Sequence, residues 1–434
     1  MHSFFKTTRI ALSFSAVFSI VSILQACSSP EQNEKQRGPS GSRSLSPDAP
    51  GSPPEYAYQT FDEVWTLVNE RHFDPEHNGV DWIAVREEYR PLVENTRNEN
   101  EIRMVLTDML SELGQSHFVI IPAESGSDEE EDEDILESGS GTLGMRLDWI
   151  DDEAVVVNVE PYSSASSSGV QPGWVIEEVA FGEKTIVPSE RFSGALQAMK
   201  ESPSPMARSQ AYMILNRINS GEIGDTRSFT FRNFDDSPTT IKLDYAKEDG
   251  QRTKFGNLPA MTTTSKSHWI SENELEQMGI AFNKNEPPKI GYIAFNAWMF
   301  PIMQPIADGV DTFRDADGII LDLRGNPGGI GGLSMGIAGH FVNEEVSLGE
   351  MKSRDMVMNF TVNPQRATTD GRLVEPYAGP LAIIVDPGSA STSEIFGAAL
   401  QQLDRATVFG RNSMGAALPA HTGAARRESG EARL

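Results

Sequence analysis

Leu381 to Val385 is an uninterrupted apolar run that stops at Asp386-Pro387-Gly388, and Ile395, Phe396, Ala399, Leu400 and Leu403 then recur at helical spacing. Such a segment folds as strand, tight turn and helix. The turn carries Ser389-Ala390-Ser391-Thr392-Ser393. A serine there sits beside the N–H groups that open a helix, which suits a nucleophile that must present its oxygen and stabilise an oxyanion. The same hydroxyls also suit plain helix capping.

A second stretch, Gly318-Ile-Ile-Leu-Asp-Leu-Arg-Gly-Asn-Pro-Gly-Gly329, runs a buried-looking strand into a glycine-rich turn. Together the two stretches resemble the tail-specific, or C-terminal-processing, family of serine peptidases. The resemblance implies Ser391 as nucleophile, with oxyanion donors from Gly328, Gly329 and the N–H of Thr392. No metal or organic cofactor is implied, because nothing like His-Glu-x-x-His or a phosphate-binding glycine loop followed by Lys occurs in the sequence.

A length of 434 residues accommodates two or three domains. The net charge of −27 argues against nucleic acid or anionic lipid surfaces as partners. Met1 to Cys27 has Lys6 and Arg9, an apolar stretch from Ile10 to Leu24, and then Gln25-Ala26-Cys27, the layout of an export signal. Its end resembles a bacterial lipobox, which implies lipidation of Cys27 and a membrane partnership through that anchor. Cys27 is the chain's only cysteine, so no intrachain disulfide forms. Ser28, where aspartate would signal inner-membrane retention, points to an outer-membrane anchor facing the periplasm of a bacterial envelope.

Residues 28–56 are rich in Pro, Ser, Gly and charge and read as a flexible linker. Residues 57–123 read as a helical subdomain, with Phe61, Val64, Trp65 and Val68 on one apolar face and Ile102, Val105, Leu106, Met109, Leu110 and Leu113 on another. Ser116-His117 at its end resembles the adjacent Ser-His pair of the tricorn core protease. That likeness implies His117 as general base for Ser391 and Ser116 as an orienting residue. Residues 124–140, with seven carboxylates in a row from Asp128 to Asp134, read as a solvated acidic loop.

Residues 141–247 resemble a PDZ domain, through Thr142-Leu143-Gly144-Met145 and the run from Gly169 to Val179. The likeness implies peptide binding at Leu143, Gly144 and Met145, where successive N–H groups would receive a terminal carboxylate. Residues 248–288 read as a connector. From residue 289 to 434, strand-like Ile290 to Phe295, Gly318 to Leu323 and Leu381 to Val385 alternate with helical Met303 to Phe313 and Gly332 to Phe341. The expected fold class is therefore α/β, a catalytic core with a mostly parallel sheet behind the helical subdomain and the PDZ-like module.

The best-known branch of the family pairs its serine with a lysine about two dozen residues on. The matching step here is Ser413-Met414-Gly415-Ala416, and no lysine follows Lys352, which favours the Ser-His branch. That branch also takes an orienting glutamate from a later strand. Residues 420–434 lack a strand pattern there, so neither Glu428 nor Glu431 fits the role, and a frame shift or truncation near Pro419 is the expectation. The sequence reads as a serine endopeptidase acting on protein or peptide substrates of the envelope, or as a peptide-binding lipoprotein that has lost turnover.

Overall fold

The computed structural model of the chain describes residues 55–114, 140–181, 184–201, 204–254, 260–354, 356–417, 424–427 and 430–433. Helices α1 (Glu55–Arg71), α2 (Trp82–Tyr89) and α3 (Glu99–Ser111) enclose a first apolar cluster of Phe61, Val64, Trp82, Ile102, Leu106 and Leu110. Asp81 caps α2 by accepting from the Ala84 N–H at 3.0 Å, and Asn98 caps α3 by accepting from the Glu101 N–H at 3.1 Å. Each of Trp65 and Trp82 donates its indole N–H to the other's carbonyl, at 2.8 and 3.2 Å, which locks α1 to α2.

The second cluster lies under an antiparallel sheet of β1 (Met145–Ile150), β2 (Glu153–Val159), β3 (Val175–Phe181), β4 (Thr226–Arg232) and β5 (Pro238–Asp244) in that order, with Lys184–Ile186 added to β3. Helices α4 (Ser193–Glu201) and α5 (Pro205–Asn216) follow β3, and α5 lies along β1. Leu143, Leu147, Val156, Val179, Leu215, Phe229 and Leu243 fill this core.

The third and largest cluster belongs to a sheet ordered β6 (Ser265–Trp269), β7 (Ile290–Phe295), β8 (Gly318–Asp322), β11 (Leu381–Val385) and β12 (Thr407–Gly410). Between β8 and β11 come an antiparallel hairpin, β9 (Ser347–Lys352) and β10 (Val357–Thr361), and the sheet's helices are α6 (Met303–Thr312), α7 (Leu333–Ala338) and α8 (Thr392–Gln402). β7, β8, β11 and β12 are mutually parallel, while β6 pairs antiparallel with β7. β6 lies in the segment that reads as a connector. Ser-Lys-Ser-His-Trp carries no apolar alternation because it is an exposed edge strand. Parallel strands bring the segments after β7, β8, β11 and β12 to one end of the sheet, where open α/β folds place their chemistry.

No helix among the described residues is long and apolar enough to cross a membrane. No group of three or more metal-ligating side chains gathers among them.

Candidate active site

Ser391 stands at the junction of β11 and α8 with φ 51° and ψ −117°, a conformation that costs a non-glycine residue free energy and is held by its surroundings. Its neighbouring hydroxyls do the holding. Ser389 Oγ donates to the Leu323 carbonyl at 2.7 Å and accepts from the Asp386 N–H at 2.9 Å. Ser393 Oγ donates to the Asn326 carbonyl at 3.1 Å and accepts the Trp298 indole N–H at 2.9 Å, and Thr392 Oγ1 donates to the Gly329 carbonyl at 3.0 Å. Those three side chains are buried, and Ser391 alone of the four is partly exposed.

The turn after β8 faces this elbow. Asn326, fully buried, donates from Nδ2 to the Phe295 carbonyl at 2.9 Å and accepts the Gly328 N–H on Oδ1 at 3.0 Å. Its carbonyl also takes the Ala390 N–H at 3.0 Å, so one side chain and its backbone tie β7, the turn and the elbow together. Gly328 has φ +98°, and a Cβ there would lie 2.7 Å from Ser391 Cβ and 3.1 Å from Thr392 N. The closeness is what the absent side chain permits. The Trp298 N–H donates to the Gly328 carbonyl and the Ile330 N–H to the Trp298 carbonyl, at 2.9 and 2.8 Å. Among the described residues, the N–H groups of Gly329 and Thr392 have no protein acceptor, whereas that of Gly328 is spent on Asn326. Unspent N–H groups in the turns that meet at a serine are the kind of donor an oxyanion needs.

Two carboxylates organise the surroundings. Glu394, in the first turn of α8, accepts the Ser391 N–H at 3.0 Å, Ser413 Oγ at 2.6 Å, the Gly415 N–H at 2.7 Å and the Ala416 N–H at 2.8 Å. The Ser391 N–H also donates to the Ala416 carbonyl at 2.9 Å, so residues 413–416 are strapped to the elbow. Asp386 accepts the N–H groups of Gly325 and Gly388 at 2.7 and 2.9 Å, fixing the two turns in register. The Asp-Pro-Gly turn was the sequence signal for Asp386, but its contact with the β8 turn spans too many residues to read from the chain.

β1 packs behind these turns. Arg146 Nε lies 3.6 Å from Asp386 Oδ2, and Arg146 Nη1 is 3.4 Å from the Arg324 carbonyl. Asp148 pairs with Arg411, yet burial outweighs that guanidinium and raises the carboxyl above its usual range. Burial likewise raises the Tyr212 hydroxyl, which lies under Gly325. Asp322 shows the opposite balance. Burial works to raise its pKa, but the Arg324 guanidinium and the Tyr292 hydroxyl, at 2.6 and 2.7 Å, bring it below the ordinary value.

His117, Ser116 and Cys27 lie outside the described residues. Leu143, Gly144 and Met145 lead into β1, with Leu143 and Met145 buried.

A strained serine elbow at the carboxyl ends of parallel strands, with unspent N–H groups beside it, has the form that a serine hydrolase's nucleophile takes, and the chain's similarities make it a serine peptidase. Residues 289–422 match the model for Peptidase family S41, and residues 53–111 match that for the Tricorn protease C1 domain. The chain is 23% identical over 361 residues to a carboxyl-terminal-processing protease of a Synechocystis species, covering 82% of this chain and 70% of that one. It is 25% identical over 369 residues to the chloroplastic carboxyl-terminal-processing peptidase 2 of Arabidopsis thaliana, covering 82% and 60%. In fold it is similar to the crystal structure of a CPAF mutant, with a TM-score of 0.52, 10% identity and 88% of each chain covered.

Proposed function

We propose that the chain is an exported endopeptidase that cleaves proteins near their C-termini. Ser391 Oγ adds to the scissile carbonyl, and the N–H groups of Gly329 and Thr392 hold the oxyanion. His117 takes the serine proton and returns it to the leaving amine, with Ser116 orienting the pair, after which water hydrolyses the acyl-enzyme. The observation that carries this reading is the φ 51° serine at the strand–helix elbow, packed against the Gly328 turn, with the N–H groups of Gly329 and Thr392 unspent. The carboxyl-terminal processing named for the Synechocystis and Arabidopsis relatives supports the substrate class. The Ser-His assignment rests on the sequence likeness alone.

Export through residues 1–27 and lipidation at Cys27 complete the proposal, placing the enzyme on a bacterial envelope membrane and facing the periplasm. The module of β1 to β5 is read as PDZ-like. Internally quenched peptides with a free C-terminal carboxylate should be cleaved by the wild type and not by Ser391→Ala. Binding without turnover in both proteins would instead favour a peptide-binding lipoprotein. Incorporation of a fatty-acid analogue that is lost in Cys27→Ser checks the anchor, and equal incorporation in both refutes it.

A further inference from the structure

β1 is the outer strand of its sheet, bonded to β2 on one side only, and its free edge is where an added peptide strand would pair. That edge is already occupied. The side-chain amide of Asn216, at the end of α5, accepts the Leu147 N–H on Oδ1 at 3.0 Å and donates from Nδ2 to the Leu147 carbonyl at 2.8 Å. Those are the two bonds that one residue of an antiparallel partner strand would make. Asn219 continues the substitution, with Oδ1 accepting the Met145 N–H at 3.3 Å and its carbonyl accepting the Leu143 N–H at 3.2 Å.

The rest of the edge is closed as well. The Trp149 N–H donates to Asp148 Oδ1 at 2.8 Å, and the Trp149 indole N–H to the Ala211 carbonyl of α5 at 2.8 Å. The Gly144 N–H donates to Thr142 Oγ1 at 3.1 Å, and the Gly144 carbonyl receives the Glu160 N–H at 2.7 Å. A Cβ at Gly144 would sit 2.1 Å from Ser163 Cβ, so the loop after β2 lies directly on it. No N–H from Leu143 to Met145 is free for a terminal carboxylate.

We propose that Asn216 and Asn219 form an internal plug, a side-chain surrogate for a peptide strand, and that a substrate C-terminus enters the β1 edge only by displacing them. The structure described is then the closed state of a peptide-accepting module. The energetics permit exchange, since the incoming strand regains the same backbone bonds and the amides regain water. The choice of ligand rests on the peptidase reading, whereas the plug itself rests only on the β1 hydrogen bonds.

The test uses the full chain carrying Ser391→Ala, so that no cleavage intervenes, and a fluorescein-labelled decapeptide ending in Ala-Ala with a free carboxylate. Fluorescence anisotropy should show binding at least ~10-fold tighter for Asn216→Ala than for the unaltered Asn216 background, with the amidated peptide gaining less. Hydrogen exchange on the unaltered background gives a readout that survives if Asn216→Ala folds poorly. Saturating peptide should expose the amides of residues 212–219 while those of β1 stay protected. Unchanged affinity in a folded Asn216→Ala, or binding that leaves residues 212–219 protected, overturns the proposal, as does failure of both proteins to bind. Labelling of Ser391 by a serine probe is indifferent to all these outcomes, so failure of the plug and failure of the peptidase reading are told apart.

Discussion

Replacing Gly328 by alanine tests how tightly the two turns of the candidate site are pressed together. The new Cβ would lie 2.7 Å from Ser391 Cβ, 2.9 Å from the Ala390 carbonyl oxygen and 3.1 Å from Thr392 N. Non-bonded carbons settle at ~3.5–4.0 Å, so the turns must part by about 1 Å. None of those atoms is the far end of a flexible side chain, so the parting moves the proposed nucleophile or its proposed oxyanion donors. A displacement of ~1 Å in a reacting group costs ~10²-fold in rate. The φ of +98° at this position adds ~1–2 kcal/mol of backbone strain for a residue with a Cβ.

Steady-state cleavage of a quenched peptide and the rate of inactivation by a fluorophosphonate should therefore both fall ~100-fold in Gly328→Ala, with a lowered melting temperature. Gly194→Ala is the control, because a Cβ there meets nothing within 4 Å. Unchanged kcat/KM in Gly328→Ala would refute the packing argument and, with it, the placement of the oxyanion donors.

Burial pushes the His340 imidazole down from 6.5 to about 4, with Arg314 adding to the effect and Asp311 opposing it. Because the folded value lies below the unfolded one, the unfolded chain takes up its proton first. Stability is thus whole above the unfolded pKa and falls as pH drops towards the folded one, by ~2 kcal/mol at about pH 5. Denaturant melts should show that loss in the wild type and much less of it in His340→Gln; equal acid sensitivity would dismiss the assignment. Glu394→Gln replaces an acceptor of four donors with a group that offers an N–H₂ to some of them, and should cost ~2 kcal/mol of stability and more than ~10-fold in kcat/KM. A melting curve and kcat/KM identical to wild type would show that residues 413–416 need no strap. Asn326→Ala leaves the Phe295 carbonyl and the Gly328 N–H unmet in a buried site, an expected loss of ~2–4 kcal/mol, read by chemical denaturation.

The strands that carry the site could be read from the chain because burial on both faces forces continuous apolar runs. Ile319 to Leu321 and Leu381 to Val385 are such runs, and both end in turn residues that break the pattern. β6 could not be read, since an exposed edge strand pays no penalty for Ser, Lys and His. The hairpin of β9 and β10 was hidden for the same reason, with Met356, Val357 and Met358 exposed rather than alternating in and out. In the site, the elbow and the glycine turn announced themselves through local turn chemistry. Asn326 did not, and the Asp-Pro-Gly turn marked Asp386 only as a turn residue, because their bonds to Phe295, Ala390 and Gly325 are ones that only the tertiary fold brings near. The closure of β1 by Asn216 and Asn219 was equally silent, since nothing in a helix end predicts which edge its amides will meet.

The most direct test of the account is peptide mapping of the adduct formed with a biotinylated fluorophosphonate. The prediction is a single modified residue, Ser391, with no adduct in Ser391→Ala and slowed modification in Gly328→Ala. Modification of another serine, or equal labelling of the wild type and Ser391→Ala, would contradict the assignment of the nucleophile on which the rest depends.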